Sequence, residues 1–292
     1  MLIFEKLKAE SWNIAYRTLE AGSILKNQNE IFRVIKNPIR YWAADPFVFE
    51  RDGKTYLFAE LFDYCTNKGV IGCTELKKTG ITGWKIIIDE NWHLSYPFIF
   101  EYNGALYLMP EMNDGKSLWL YRAENFPYVW KKEKVILDDV RLVDTTLCRV
   151  DDCFIAFSQD IQQTPVAFRL NEQLCFDKFI DYKGNDGRFV RPGGRFFVSN
   201  NKCYAVCQDC SQTYGGALIF YSAVVSNEQV VLGDKCLHLS PNDINLDRTI
   251  EKDGIHTYTA TKQFEVIDIK TRRFSLLNLV GRFLLHIGRK HE

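Results

Sequence analysis

Two sets of acids recur along this chain. Asp45 and Asp144 open short apolar runs, and Glu60, Glu111, Asp160 and Asp209 close the runs that follow. Carboxylates facing each other across a cleft are what glycoside chemistry needs: one, kept protonated, donates to the leaving oxygen, and the other attacks or activates water. The candidate catalytic residues are therefore Asp45, Asp144, Glu111 and Asp209, with Glu111 and Asp209 singled out by their unusual surroundings, MPE and QDCSQTYGG. Arg191 offers a guanidinium fork for a carboxylate or phosphate. His93 and His256 offer proton shuttling, and Trp42, Tyr96 and Tyr214 offer faces on which a sugar ring can stack. Each has a plainer reading as well: an aspartate before a strand caps a turn, an acid after one pairs with a basic neighbour, and aromatics fill cores.

These residues sit in a repeat. DPFVFERDGKTYLFAE (45–60) and YPFIFEYNGALYLMPE (96–111) share one grammar. Further copies are DTTLCRVDDCFIAFSQD from Asp144, RPGGRFFVSNNKCYAVCQD from Arg191, and a degenerate DRTIEKDGIHTYTATK from Asp247. Each reads as a β-hairpin with turn residues in its middle (RDGK, YNGA, VDDC, SNNK, KDGI), and further strand-like runs separate the copies. Two hairpins per period of about fifty residues is the signature of a four-stranded propeller blade. The predicted fold is all-β: a five-bladed β-propeller over residues 10–270, its last blade completed by the strand-like WNIAYR near the N-terminus. An open last blade would leave an unpaired sheet edge. In such a ring the strand openers (Asp45, Ser95-Tyr96, Asp144, Arg191, Asp247/Arg248) converge on one central mouth.

Composition narrows the partners. Thirty-seven Lys and Arg balance thirty-seven Asp and Glu, so no net field argues for nucleic acid. No secretory signal or apolar run of membrane-spanning length is read, and nine cysteines, an odd number, read as reduced thiols in a cytoplasmic protein. Cys203, Cys207 and Cys210 have the C-x3-C-x2-C spacing of an iron–sulfur site, but they fall in a strand-like repeat position and read as strand cysteines. No metal spacing and no cofactor is read. Over 271–292 the pattern changes: Leu276, Leu277, Val280, Phe283, Leu284 and Ile287 form one apolar helical face amid basic residues. The expected amphipathic C-terminal helix would lie on an anionic membrane surface or pack on protein.

WAADPFVFE, HLSYPFIFE, VDTTL, RPGGR and QDCSQTYGGAL resemble the five-bladed propeller domain at the N-terminus of the plant glucosamine inositolphosphorylceramide transferases, whose bacterial relatives occur alone or fused to sugar-modifying domains. The resemblance covers roughly residues 10–265. It implies a protein of cell-surface polysaccharide or glycolipid metabolism, with a glycan, sugar nucleotide or lipid-linked sugar as partner. Its architecture is similar to that of furanosidase-type glycosidases, which implies Asp45 as nucleophile or base, Asp144 as transition-state stabiliser, and Glu111 or Asp209 as acid. The second copy opens with Ser-Tyr and the fourth with Arg, and the transferase domain of the plant proteins has no counterpart here. Two functions follow from the likeness, glycosidase-like or glycosyltransferase-associated action and non-catalytic glycan binding.

Overall fold

The computed structural model describes residues 8–19, 23–26, 28–112 and 116–277. Their regular structure is almost entirely β, with single 3-10 turns at Gly187–Phe189 and Pro241–Asp243. The first antiparallel sheet runs Tyr41–Arg51, Lys54–Asp63, Lys68–Lys77, with the short Gly80–Ile81 and Lys85–Ile88 on its outer side. The second runs Leu94–Tyr102, Ala105–Met112, Ser117–Asn125, Val129–Asp138. A nine-stranded sheet follows, made of two antiparallel meanders. One begins at Leu142–Val150 and ends at Phe176–Lys183; the other begins at Arg191–Pro192 and ends at Gln229–Leu239. The two end strands pair in parallel, covering what would be two exposed edges.

The hairpin turns follow from local chemistry. Asp52-Gly53 and Asn103-Gly104 have positive φ at both residues, as do Asn200-Asn201, which is the two-residue turn whose twist suits a hairpin. These residue types visit the left-handed region at low cost. In the last sheet Ala9–Thr18 pairs along its whole length with Phe264–Arg273, from Ala9–Arg273 to Thr18–Phe264, so the two ends of the described chain share one sheet. Tyr258–Ala260 lies on the inner side of that pair and Ile31–Val34 on the outer.

The last repeat differs from its sequence reading. KDGI is not a hairpin turn: Asp253 and Gly254 lie along the next strand, with Asp253 N–H donating to Lys270 O at 2.8 Å. Asp247 lies at the outer strand instead, accepting from Val34 N–H at 3.0 Å, and the residues that precede the inner strand are His256 and Thr257. The copy was too degenerate to fix which acid led it. Nor does a helix begin at 271: Thr271–Arg273 finish the strand Phe264–Arg273, Leu276 and Leu277 are the first helical residues, and the remainder of the expected amphipathic helix, 278–292, lies outside the described residues.

Packing between sheets runs around a ring. Phe47, Phe58, Phe98, Leu108 and Phe154 join the first sheet to the next two meanders, Phe157, Cys207 and Ile219 join the third and fourth, Phe220 and Ile267 the fourth and last, and Ile14, Val48 and Val266 the last and first. Cys203 and Cys207 both contribute to this apolar packing. Alternation sends one face of each strand into a neighbouring sheet, which leaves strand starts near the axis for polar groups.

Candidate active site

Three inner strands carry the same irregularity. Asp45, Tyr96 and Asp144 have φ of 49°, 44° and 52°, and the strand register shifts at each of these points, between Ala44 and Phe47, Ser95 and Phe98, and Val143 and Thr146. A bulge with a left-handed residue re-aims its side chain, and such strain persists where surrounding contacts enforce it. For a tyrosine this backbone is a true outlier. Tyr96 is completely buried; its hydroxyl lies 2.7 Å from Thr146 Oγ1 and accepts from Gly194 N–H at 2.8 Å. It sits beneath the cleft described below, where it ties three repeats together, and not in its lining.

Asp45 is held from several sides. Its Oδ1 accepts from Thr257 Oγ1 at 2.9 Å and its Oδ2 from Tyr96 N–H at 3.1 Å, while its own N–H donates to Asp268 Oδ2 at 3.0 Å. His256 bridges the same acids: Nδ1 is 2.6 Å from Asp268 Oδ2, and Nε2 is 3.6 Å from Asp45 Oδ1. Burial pushes the Asp45 carboxyl up to about 7; His256 opposes the rise, and the nearby Asp144, Glu60 and Asp268 add to it. Burial works against charge on His256, but Asp268 and then Asp45 outweigh it and raise the imidazole to about 9. The ligand atoms of Asp45, His256 and Asp268 lie within 4.8 Å of one another, the geometry of a possible metal site. The carboxylate oxygens already accept from Thr257, Tyr96, Asp45 N–H and the backbone of His256 and Thr257, so internal hydrogen bonds account for the cluster.

The second acidic group is Glu111 and Asp144. Glu111 Oε2 accepts from Asp144 N–H at 2.8 Å. Asp144 Oδ2 accepts from Arg191 Nε and, at 2.7 Å, from Gln208 Nε2. Arg191 Nη2 lies 3.8 Å from Glu111, and its guanidinium stands 5.0 Å from the Tyr214 ring centroid. Burial and then repulsion from Asp144 hold the Glu111 carboxyl well above the usual range, against the pull of Arg191. Arg191 was read from sequence as a fork for a substrate anion. The structure instead engages it with the chain's own acids, because two carboxylates buried together need a cation more than a solvated ligand does.

These groups face one cleft of about 350 Å³, at the small end of ligand-binding cavities. Of the sequence candidates, Asp45, Glu111, Arg191, His93, Trp42, Tyr214 and His256 line it, together with Glu10, Trp12, Glu60 and Phe62. Asp144 stands behind the lining, on Arg191. Asp209 is elsewhere. It accepts from Ser211 N–H and lies 3.0 Å from His238, contacts that hold it below the ordinary range although burial works the other way. It serves as a turn cap.

Asp268 and Trp12 escaped the sequence reading. Asp268 is fully buried, and its signal was an acid embedded in the apolar strand run FEVIDIK. Trp12 reaches the cleft only because its strand pairs with Phe264–Arg273.

A family model described as glucosamine inositolphosphorylceramide transferase 1, N-terminal, matches residues 34–231. Glucosamine inositolphosphorylceramide transferase 1 of Arabidopsis thaliana is 38% identical over 188 residues, 59% of this chain and 24% of that protein. The protein of the same name from Oryza sativa subsp. japonica is 34% identical over 194 residues, 62% of this chain and 26% of its own. The chain thus spans about a quarter of these curated relatives. Among solved structures, the catalytic domain of a Coprinopsis cinerea GH62 α-L-arabinofuranosidase superposes with TM-score 0.59 at 10% identity, covering 74% of this chain and 76% of that one. A GH43 β-xylosidase/α-arabinofuranosidase from a compost metagenome gives 0.55 at 12% identity, covering 81% and 92%. At these identities the likeness is one of propeller fold.

Proposed function

This chain belongs to the family of the glucosamine inositolphosphorylceramide transferase N-terminal domain, and from that premise we propose that it acts on a glycosyl group in the cleft between Asp45 and Glu111. The observation that carries the proposal is electrostatic. Two carboxyls lining one cleft are both driven toward their protonated forms by burial and by neighbouring acids, and perturbed acids in a cleft mark functional sites. Glu111, held protonated by burial and by Asp144, gives its proton to the departing glycosidic oxygen. Asp45, ionising near neutrality, takes the proton of the attacking hydroxyl or itself attacks the anomeric carbon. Water as the attacking group gives hydrolysis; a second sugar or a lipid headgroup gives transfer. Asp144 and Arg191 position Glu111, Trp42 and Tyr214 supply stacking faces, and Trp12 backs His256.

The five antiparallel meanders are read as five blades that gather these groups at one mouth. The relatives' names support a reaction in glycolipid or cell-surface glycan metabolism, and the basic, apolar tail sequence would hold the chain at an anionic membrane surface. A non-catalytic, glycan-binding role is favoured by one observation: Arg191 internally neutralises Asp144 and Glu111. A screen of glycans and nucleotide sugars, with wild type beside Asp45→Asn and Glu111→Gln, separates the two. Turnover lost in both variants supports acid–base chemistry; binding with no turnover in wild type supports the module.

A further inference from the structure

Glu60 and His93 line the cleft but have no part in the proton transfers above. Glu60, 4% exposed, comes from the strand Lys54–Asp63, and His93 immediately precedes the strand Leu94–Tyr102. Gly69 N–H donates to His93 Nδ1 at 3.1 Å, which leaves Nε2 to carry the ring proton. That Nε2 lies 3.1 Å from Glu60 Oε1, yet the ring N–H is not directed at the oxygen, and Oε1 makes no hydrogen bond among the described residues. The contact is therefore an attraction between charge and dipole that leaves a buried acceptor unfilled. A buried, unsatisfied carboxylate oxygen costs stability and calls for an explanation.

The site is also sterically built. A Cβ added at Gly69 would stand 2.7 Å from Glu60 Oε1 and 2.9 Å from His93 Nε2, so only glycine leaves room for the pair. Beside it Trp42 and Phe62 stack at 4.7 Å, 6° from parallel, and both reach the cleft. Of the other acids in the lining, Glu10 pairs with Lys270 at 3.1 Å and burial drives the Asp45 and Glu111 carboxyls toward their protonated forms, while the Arg191 guanidinium is taken by Asp144 and Glu111.

We infer that Glu60, set against His93, is the specificity point of this cleft, its carboxylate receiving a hydroxyl or ammonium donor of a sugar ring laid against Trp42, and that the ring carries no negative charge. The inference rests on the glycosyl reading of the cleft and adds to it which sugars are admitted. An anionic ring meets the Glu60 carboxylate while the Arg191 guanidinium is already engaged by Asp144 and Glu111, whereas a donor from a neutral or amino sugar is received by Glu60.

The test is a ligand-observed NMR titration of the methyl glycosides of glucose, galactose and mannose, their 2-amino analogues, and methyl glucuronide, against wild type, Glu60→Gln and His93→Gln. The tightest neutral or amino sugar should bind Glu60→Gln roughly tenfold or more weakly, the loss expected when a charged acceptor is removed. Monodeoxy analogues of that sugar supply a readout that a merely structural role would not move. One of them should bind wild type and Glu60→Gln equally, since it lacks the donor that Glu60 receives. Should Glu60→Gln fail to fold, the same comparison is made with His93→Gln. If wild type binds a sugar and both variants bind it, and every deoxy analogue, in the wild-type ratios, the inference is wrong while the glycosyl reading stands. Tighter binding of the glucuronide overturns the charge selection. If wild type binds none of the sugars, the glycosyl reading fails and takes the inference with it.

Discussion

Trp12 lies flat on His256, ring centroids 3.8 Å apart and 15° from parallel. One residue comes from the strand that begins the described chain and the other from the start of the last inner strand. Pairing of Ala9–Thr18 with Phe264–Arg273 therefore builds a wall of the cleft as well as a sheet. Trp12 is 1% exposed, so Trp12→Ala should lose about 3–5 kcal/mol in urea unfolding and abolish sugar binding. Trp12→Phe should keep most of both. A Trp12→Ala variant as stable as wild type would show that the N-terminal strand does not close the structure.

Asp45→Asn should lower turnover by a hundredfold or more, the order attributed to general acid–base groups. Its fold should survive, because asparagine tolerates φ of 49° and carries no charge to desolvate. Asp45→Ala, strained at this backbone, should melt at a lower temperature than Asp45→Asn. Equal melting of the two would argue against strain at this position.

The pH dependence of stability has a defined sign. The Asp45 carboxyl titrates at about 7 in the folded state against an ordinary 3.8, so the folded protein keeps a proton that the unfolded chain gives up between those values. Stability falls as pH climbs through that window and loses nothing further above it. His256, raised from 6.5 to about 9, contributes fully below 6.5, and its contribution is lost as pH rises through 9. Melting temperatures across pH 4–9 should therefore show Asp45→Asn gaining on wild type between about pH 4 and 7, then holding the difference. A gap that closes with rising pH would reverse the assignment.

Glu265 is fully buried and saturated: it accepts from Arg17 Nε at 2.7 Å, Ile24 N–H at 2.7 Å and the Tyr258 hydroxyl at 2.5 Å. Glu265→Ala strands the Arg17 charge in the core and should cost about 3–5 kcal/mol. Replacing both, Glu265→Leu with Arg17→Met, should recover much of that loss in the same denaturation experiment. No recovery would mean that the pair's hydrogen bonds to Ile24 and Tyr258 dominate.

Much of this was legible in the chain. The repeat at 45–60 and 96–111, with DG and NG turns between alternating runs, sets strand direction and hairpin register from local chemistry alone, because those turns need residues that accept positive φ. Asp45, Glu111 and Arg191 announced themselves as charged residues at corresponding places in apolar repeats. What the chain could not state was which charges meet. Asp209 stands in register with Glu111 yet caps a turn, and Arg191, read as a substrate anchor, is claimed by Asp144 and Glu111. Asp268 pairs with His256 only because one strand turns back beside the next, and Trp12 arrives from the opposite end of the described chain. Turn preference and strand alternation act between near neighbours and can be read from order. Charge pairing and burial act through space, and only closure of the sheets brings those partners within reach.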